Sequence, residues 1–275
     1  MRRKQSILAA LLAAFLAAVP LTALARKAPG AAASSESNPY LWLAQIHGRN
    51  ALAWVERQNA RSDRVLKTDP IYARDRSRIL SVLNARTRIP QGTLDHGWVL
   101  NFWQGTDHVR GIWRRTTIAD YARKAPHWQT LLDVDQLDRR LHKDWVWKGA
   151  DCTPAFDRCL VRLSPGGGDA VEIREYDPKT RSFVAGGFEL PVSKGEAVYL
   201  DPDTVLVATD FGPGTMTPSS YPRSVKLWHR GEPLAEAKTL FEGRPHDMAV
   251  TPHVFRGPYG RVALIVRRPS FFEAD

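Results

Sequence analysis

The chain has 275 residues, 43% of them hydrophobic, nine tryptophans and a formal net charge of +10. That length and apolar content suffice for one large domain or two ordinary ones, each with a real core, and they exclude a disordered or collagen-like chain. Nine indoles are a heavy load of rings whose ordinary work is to pack cores or line binding sites.

Arg2, Arg3 and Lys4 precede an almost unbroken Leu/Ala-rich run over residues 7–25, which ends in Ala23-Leu24-Ala25. A basic start, an apolar stretch and an A-x-A site form a secretory signal peptide, residues 1–25, with cleavage expected after Ala25. The mature chain is then periplasmic or secreted, with no stable membrane association after cleavage. An uncleaved anchor is the alternative, because the run approaches transmembrane length; Pro20 and the small residues before Arg26 favour cleavage. No cysteine follows the run, which disfavours a lipid anchor, and the arginine pair lacks the hydrophobic pair that a twin-arginine signal carries.

Loss of residues 1–25 removes three basic and no acidic residues and lowers the net charge from +10 to +7. Much of the excess lies between Arg61 and Arg88, on a stretch expected to be helical, where it reads as a solvated or domain-facing surface. Nucleic acid is not an expected partner of an exported chain.

Residues 26–37 (RKAPGAAASSES) are small, polar and Pro/Gly-containing, the composition of a flexible linker. Residues 38–95 then read as a helical segment. Apolar residues at helical spacing predict a helix over 51–66 with Asn50 as its cap. A second helix follows from Asp69-Pro70, with Pro70 in its first turn and Ile71, Ile79, Leu80 and Leu83 making its apolar side.

From residue 96 onward the texture changes to short Val-, Trp-, Phe-, Ile- and Thr-rich runs separated by Gly, Asp and Pro, which is strand and turn chemistry. Strands are expected over residues 98–104, 111–118, 159–164, 171–176, 204–209, 225–229 and 261–267, with no long helical pattern between them. The runs GIWRR, VEIREYDPKT and VKLWHRG are alike and centre on Trp113, Ile173 and Leu227. Their spacing, roughly 55–60 residues, is close to the period of a four-stranded propeller blade with longer loops. A hydrophobic strand pair precedes each run, and a segment that returns toward a turn follows it. The expected fold is therefore mainly β, an incomplete propeller of about three to four blades over residues 96–275; a β-sandwich is the competing all-β reading. Propellers close with typically four to eight blades. The chain accordingly reads as stopping early, with Phe271 and Phe272 uncovered near its end.

Cys152 and Cys159 are the only cysteines and flank a six-residue loop. An oxidising compartment permits them to pair, and two free, buried thiols at strand ends are the alternative.

No Gly-x-Ser-x-Gly elbow, His-Glu-x-x-His helix, Walker loop or Gly-x-Gly-x-x-Gly motif is present, so no catalytic residue is assigned and no cofactor is implied. Gly166-Gly167-Gly168 lies between two expected strands and reads as a hairpin turn. His96, His108, His127, His142, His229, His246 and His253 show no ligand spacing, so no metal site is expected. Asp133/Asp135 and Asp201/Asp203 read as turn residues. The most unusual internal stretch is WVWKGADC, residues 145–152, where alternation puts both indoles on one face of a strand. That face either packs between blades or, with Trp147 and Asp151, lines a central substrate tunnel.

Asn38-Pro39-Tyr40-x-Trp42-Leu43 followed by Ala51-Leu52-Ala53-Trp54-Val55-Glu56-x-Gln58-Asn59 resembles the start of prolyl oligopeptidase-family serine peptidases. The runs GIWRRTTIADY, WVWKGADC, LSPGGGDAVEIREYD and DFGPGTMTPSSYPR look like the propeller region of bacterial members, so the resemblance covers the chain from residue 38 to its end. Asn38 in place of the usual Asp, and Ala44-Gln45 in place of the usual acidic pair, are the departures. The resemblance implies a propeller of roughly seven blades that screens peptides by size, followed by an α/β-hydrolase domain carrying Ser, Asp and His. In such enzymes a histidine-activated serine attacks the carbonyl after proline while backbone donors hold the oxyanion.

No position here matches the motifs that hold the triad. The chain is therefore expected to be the N-terminal part of an exported endopeptidase for short proline-containing peptides, inactive alone and lacking its hydrolase partner domain. A non-catalytic propeller-type binding protein is the alternative. In that family the N-terminal helical segment packs on the hydrolase domain, so Trp42 and Trp54 are expected to be exposed. The resemblance places neither Trp147 nor Asp151 in the substrate cavity.

Overall fold

A computed structural model describes residues 38–85 and 87–275; the expected signal peptide and linker fall outside them. By its contacts the chain divides into two units that meet between Ala73 and Arg74.

In the first unit a 3-10 turn, Leu41–Ala44, lies against helix α1, Arg49–Leu66. Asn50 does not cap α1 as its position implied. The cap is Gly48, extended and without a side-chain cap bond, because the chain doubles back there: the Gly48 N–H donates to the Gln45 carbonyl at 2.6 Å. A Cβ on Gly48 would stand 2.9 Å from Gln45. Trp42 and Trp54 are half-buried rather than exposed, while Tyr40, Leu41, Leu52 and Val55 carry the exposed apolar surface. Helix α2, Pro70–Leu83, crosses the boundary between the units. It starts with proline at its first position, and the Asp69 carboxylate accepts from the Ile71 N–H at 2.8 Å. None of its residues is buried.

The second unit is a series of antiparallel sheets in chain order. The first contains β1 (Thr93–Asp95), β2 (Trp98–Trp103), β3 (Ile112–Thr116) and β4 (Gln129–Asp133). The second contains β5 (Trp145–Cys152), β6 (Cys159–Pro165) and β7 (Val171–Asp177), with β8 (Ser182–Phe183) and β9 (Glu189–Ser193) both pairing with β7. The third contains β10 (Glu196–Asp201), β11 (Thr204–Ala208), β12 (Ser224–His229) and β13 (Lys238–Glu242). A hairpin of β14 (Ala249–Gly257) and β15 (Gly260–Arg268) follows. The three similar runs in the sequence are β3, β7 and β12, the third strand of each sheet. This is the mainly β, partial propeller expected, with three full blades and a two-stranded fourth sheet.

Strand alternation explains the stacking. Along β6, Cys159, Val161 and Leu163 enter the core between the first and second blades, while Leu160 enters the core between the second and third. Along β11, Val205 and Val207 face the second blade, and Leu206 and Ala208 face the β14–β15 hairpin. A central strand is thus buried on both faces, which is why 204–208 reads as an unbroken apolar run (TVLVA) and not as an alternating one.

Two short helices that the sequence reading did not place lie between the strands: α3 (Ile118–Tyr121) and α4 (Val134–Leu141). Asp133 is the N-cap of α4, its carboxylate accepting from the Gln136 N–H at 2.9 Å, and Asp135 lies in the first turn. A carboxylate that supports a turn is equally suited to capping a helix, and burial of Val134 and Leu137 in the first seam selects the helix.

Cys152 and Cys159 are directly opposite each other on β5 and β6 and are joined by a disulfide. The loop they close presents Phe156 to the first blade, where it lies 5.3 Å from the His96 ring and 6.0 Å from Trp113. At the end of the chain Arg267 and Asp275 exchange both backbone hydrogen bonds along β15. Phe271 and Phe272, in the turn between them, are exposed.

The second and third blades are further held by Glu175 of β7, whose side chain is fully buried. Its carboxylate takes two hydrogen bonds from Arg230 (2.7 and 2.8 Å), one from the Tyr199 hydroxyl (2.6 Å) and one from the Phe188 N–H (3.2 Å). Gly187 leaves the space it occupies, since a Cβ there would collide with the carboxylate. Burial alone would raise the Glu175 carboxyl, but the bonds from Arg230 and Tyr199 hold it below the ordinary range. Glu175→Ala is expected to lower unfolding stability by about 3–5 kcal/mol, because Arg230 and Tyr199 lose their buried partner. Urea denaturation of the two proteins at neutral pH measures this. The Glu175 contribution to wild-type stability is present above the unfolded carboxyl pKa and is lost as pH falls through the lower folded value.

Candidate functional site

The first strands of consecutive blades come side by side: β5 touches β10, and β10 touches β14. These strands form a polar wall. Asp151 of β5 accepts from the Tyr199 N–H of β10 at 2.8 Å. Arg162, reaching from β6, pairs with Glu196 of β10 and also donates to the Lys148 carbonyl at 3.4 Å. Arg256 of β14 donates to the Tyr199 carbonyl, so both backbone groups of Tyr199 are held by charged side chains from its two neighbours.

The passage of Arg162 depends on Gly149. This residue sits where the β5–β6 register shifts, at φ +104, and a Cβ there would lie 3.1 Å from the guanidinium. Only glycine adopts that backbone readily.

Burial raises the carboxyls of Asp151 and Glu196. For Asp151 the Tyr199 N–H, Arg256 and Arg162 offset part of the effect; for Glu196 Arg162 and His253 do so, while the Asp151 carboxylate raises it further.

Beside this wall opens a cavity of about 300 Å³ that includes Lys148, Arg162, Glu196, Lys194, Asp169 and Tyr221. Its polar groups are mutually engaged. Lys194 lies 4.2 Å over the Tyr221 ring and 3.6 Å from Asp169, and the Tyr221 hydroxyl donates to Asp169 at 3.0 Å. Such a lining can hold and orient a polar chain by hydrogen bonds. Thr251 also lines the cavity, its hydroxyl 3.2 Å from His253 Nε2; among the described residues no serine hydroxyl is hydrogen-bonded to a histidine, the pairing that serine acyl transfer needs.

Of the two residues singled out in the sequence, Asp151 lies in the wall. The Trp147 ring is in the seam between the first two blades, stacked 5.4 Å from Phe102 and tilted against Trp113 at 5.1 Å. Trp145 is buried in the same seam, as the alternation along β5 requires. Sequence reading missed Arg162, Lys194, Glu196 and Tyr221, which come from two blades and share no linear motif. The one available signal was Arg162, a charge inside the apolar run CLVRLS.

The histidines at no ligand spacing include one that the fold places among carboxylates: His108, Asp133 and Asp135 converge within 4.8 Å. Spacing along the chain could not reveal this group, because the β3–β4 pairing brings it together. Its carboxylates are already used by backbone donors. Asp135 accepts from the Arg110 and Gly111 N–H groups at 3.0–3.1 Å, and Asp133 caps α4.

Residues 26–255 match the family described as prolyl oligopeptidase, N-terminal beta-propeller domain. An uncharacterized peptidase of Sinorhizobium fredii is 37% identical over 238 residues, 86% of this chain and 33% of that protein. An uncharacterized peptidase of Rickettsia prowazekii is 30% identical over 210 residues, 73% of this chain and 29% of its own length. The solved structure of a post-proline cleaving enzyme from Rickettsia typhi is 27% identical, with a TM-score of 0.76 over 83% of this chain and 35% of that one. The chain thus spans about a third of the length of these relatives.

Asp151→Ala is expected to cost about 1–3 kcal/mol at neutral pH by leaving the Tyr199 N–H without an acceptor, whereas Asp151→Asn keeps the acceptor and most of the stability. Chemical denaturation separates the two variants. Because a raised folded-state carboxyl binds protons that the unfolded chain releases, wild-type stability falls as pH rises from the ordinary carboxyl range through the raised value. Asp151→Asn flattens that slope.

Proposed function

Since the chain belongs to the prolyl oligopeptidase family through its N-terminal propeller domain, we propose that it is the substrate-screening region of an exported serine endopeptidase acting on short proline-containing peptides. The single observation that carries this reading is the polar wall of β5, β10 and β14: hydrogen-bonding groups set on adjoining inner strands, without a serine–histidine pair, fit a region that admits peptides and leaves the cleavage to another domain. In this reading the first strands line the passage, Asp151 and the Arg162–Glu196 pair form part of its side, and narrow inter-blade spacing excludes folded chains.

The helical segment, residues 38–95, is the docking face for a hydrolase domain. Its exposed Leu52, Val55, Ile71, Ile79, Leu80 and Leu83 are the apolar surface such a domain would cover. Acyl transfer by serine, histidine and aspartate belongs to that domain. Residues 1–25 direct export by the general secretory route.

A fluorophosphonate probe and a fluorogenic proline peptide test the division of labour. The purified 275-residue chain is expected to give neither labelling nor turnover; stoichiometric labelling of any serine overturns it. Export is tested separately: N-terminal sequencing of the protein recovered from the periplasm or medium is expected to begin at Arg26, and cytoplasmic retention with an intact Met1 refutes it.

A further inference from the structure

A second cavity lies away from the inner wall. About 540 Å³ opens between the outer edge of the first blade, β4 with α4, and the outer strands β7 and β8 of the second. That volume is within the range of small-ligand sites. Its floor is apolar, made by the buried Leu131, Leu132 and Leu137 with the half-buried Phe183 at one side. Its rim is basic, with Arg140 from the last turn of α4, Arg174 from β7 and Arg181 from the turn before β8.

The rim arginines differ from those that hold the fold together. Arg110, Arg158, Arg162, Arg223, Arg230 and Arg267 all pair with carboxylates. Arg174 is also occupied, lying 4.3 Å over the Phe183 ring and 3.8 Å from both Glu172 and Glu189. Among the described residues, neither Arg140 nor Arg181 has an ion pair or a side-chain hydrogen bond. Both line the same cavity as Tyr176, so their charges face one space. The Tyr176 hydroxyl does not compete, because it donates to the Leu131 carbonyl.

The one acidic group in the lining is Asp133. Its carboxylate caps the Gln136 N–H at 2.9 Å and lies 3.7 Å from His108, so it is held away from both free guanidiniums by its own partners. The balance of the cleft is two uncommitted cations above an apolar floor.

We propose that this cleft binds a small carboxylate carrying an apolar side chain, with Arg140 and Arg181 taking the carboxylate and the leucine floor taking the side chain. The planar five-donor guanidinium matches carboxylate geometry, and the floor selects an amphiphilic anion over a fully hydrated one. The proposal concerns a surface separate from the inner wall and stands independently of any peptidase reading.

Isothermal titration calorimetry on the full chain tests it with three probes: N-acetyl-leucine, its neutral amide and inorganic phosphate. N-acetyl-leucine is expected to bind, with the amide and phosphate each weaker by about tenfold or more, the order contributed by a charge-assisted contact or a buried aliphatic side chain. The double variant Arg140→Ala/Arg181→Ala is expected to lose affinity by about tenfold or more while melting at the wild-type temperature, since both side chains are exposed and unpaired. Lys148→Ala/Lys194→Ala, at the inner cavity, is expected to bind as the wild type does. Equal binding of acid and amide, phosphate binding as tight as N-acetyl-leucine, or loss of binding in the lysine variant with retention in the arginine variant would each overturn the proposal.

Discussion

Burial of the central strands β6 and β11 on both of their faces is the constraint on which the second unit depends. A sheet with two apolar faces cannot be stable alone in water; it needs a sheet on either side. Leu160 of β6 and Leu206 of β11 point the opposite way from their sequence neighbours and into different seams. The blades are therefore a stack whose members stabilise one another and not a set of independent modules. The same requirement explains the spaced recurrence of β3, β7 and β12, because every added sheet must present the same pair of faces.

Apolar packing is non-directional, and the polar groups supply the alignment it lacks. Glu175 meets Arg230 and Tyr199 across one seam, and Asp151 and Arg256 hold the two backbone groups of Tyr199. Three arginines and three tryptophans work together in a second way. Arg114 lies 4.8 Å over Trp103 and 4.4 Å over Trp128, Arg88 is 4.4 Å over Trp103, and Arg115 is 4.1 Å over Trp98. Burial lowers Arg114 to about 10, and in place of a carboxylate it has two indole faces and the Asn101 side chain at 2.7 Å. Guanidinium is weakly hydrated and planar enough to be buried this way. A high basic count here is thus partly a packing device.

These arrangements put two kinds of polar surface on one scaffold. On the inner strands the charges are paired across blades, so they shape a wall while keeping it nearly neutral. At the outer cleft two cations remain uncommitted above leucines. The difference arises from topology: first strands of adjoining blades are close enough to exchange partners, whereas α4 and the β7–β8 turn approach each other only across a gap.

The strands, the repeat, the helices before them and the family were legible in the chain itself, because period-2 and helical patterns, turn residues and the paired tryptophan motifs are local. The start of α2 at Pro70 was legible for the same reason. The cap at Gly48 and the helix after Asp133 were not, since each depends on where the chain folds back or which seam takes Val134 and Leu137. Alternation already put Trp145 and Trp147 on one face, but which seam that face enters needed the neighbouring blade. The wall partners Arg162 and Glu196, the three residues that donate to Glu175, and the group of His108 with Asp133 and Asp135 lie far apart in sequence. Local pattern determined what each segment becomes. Only the stacking of sheets decided which charges meet, because electrostatic and hydrogen-bonding partners are set by distance in space and not along the chain.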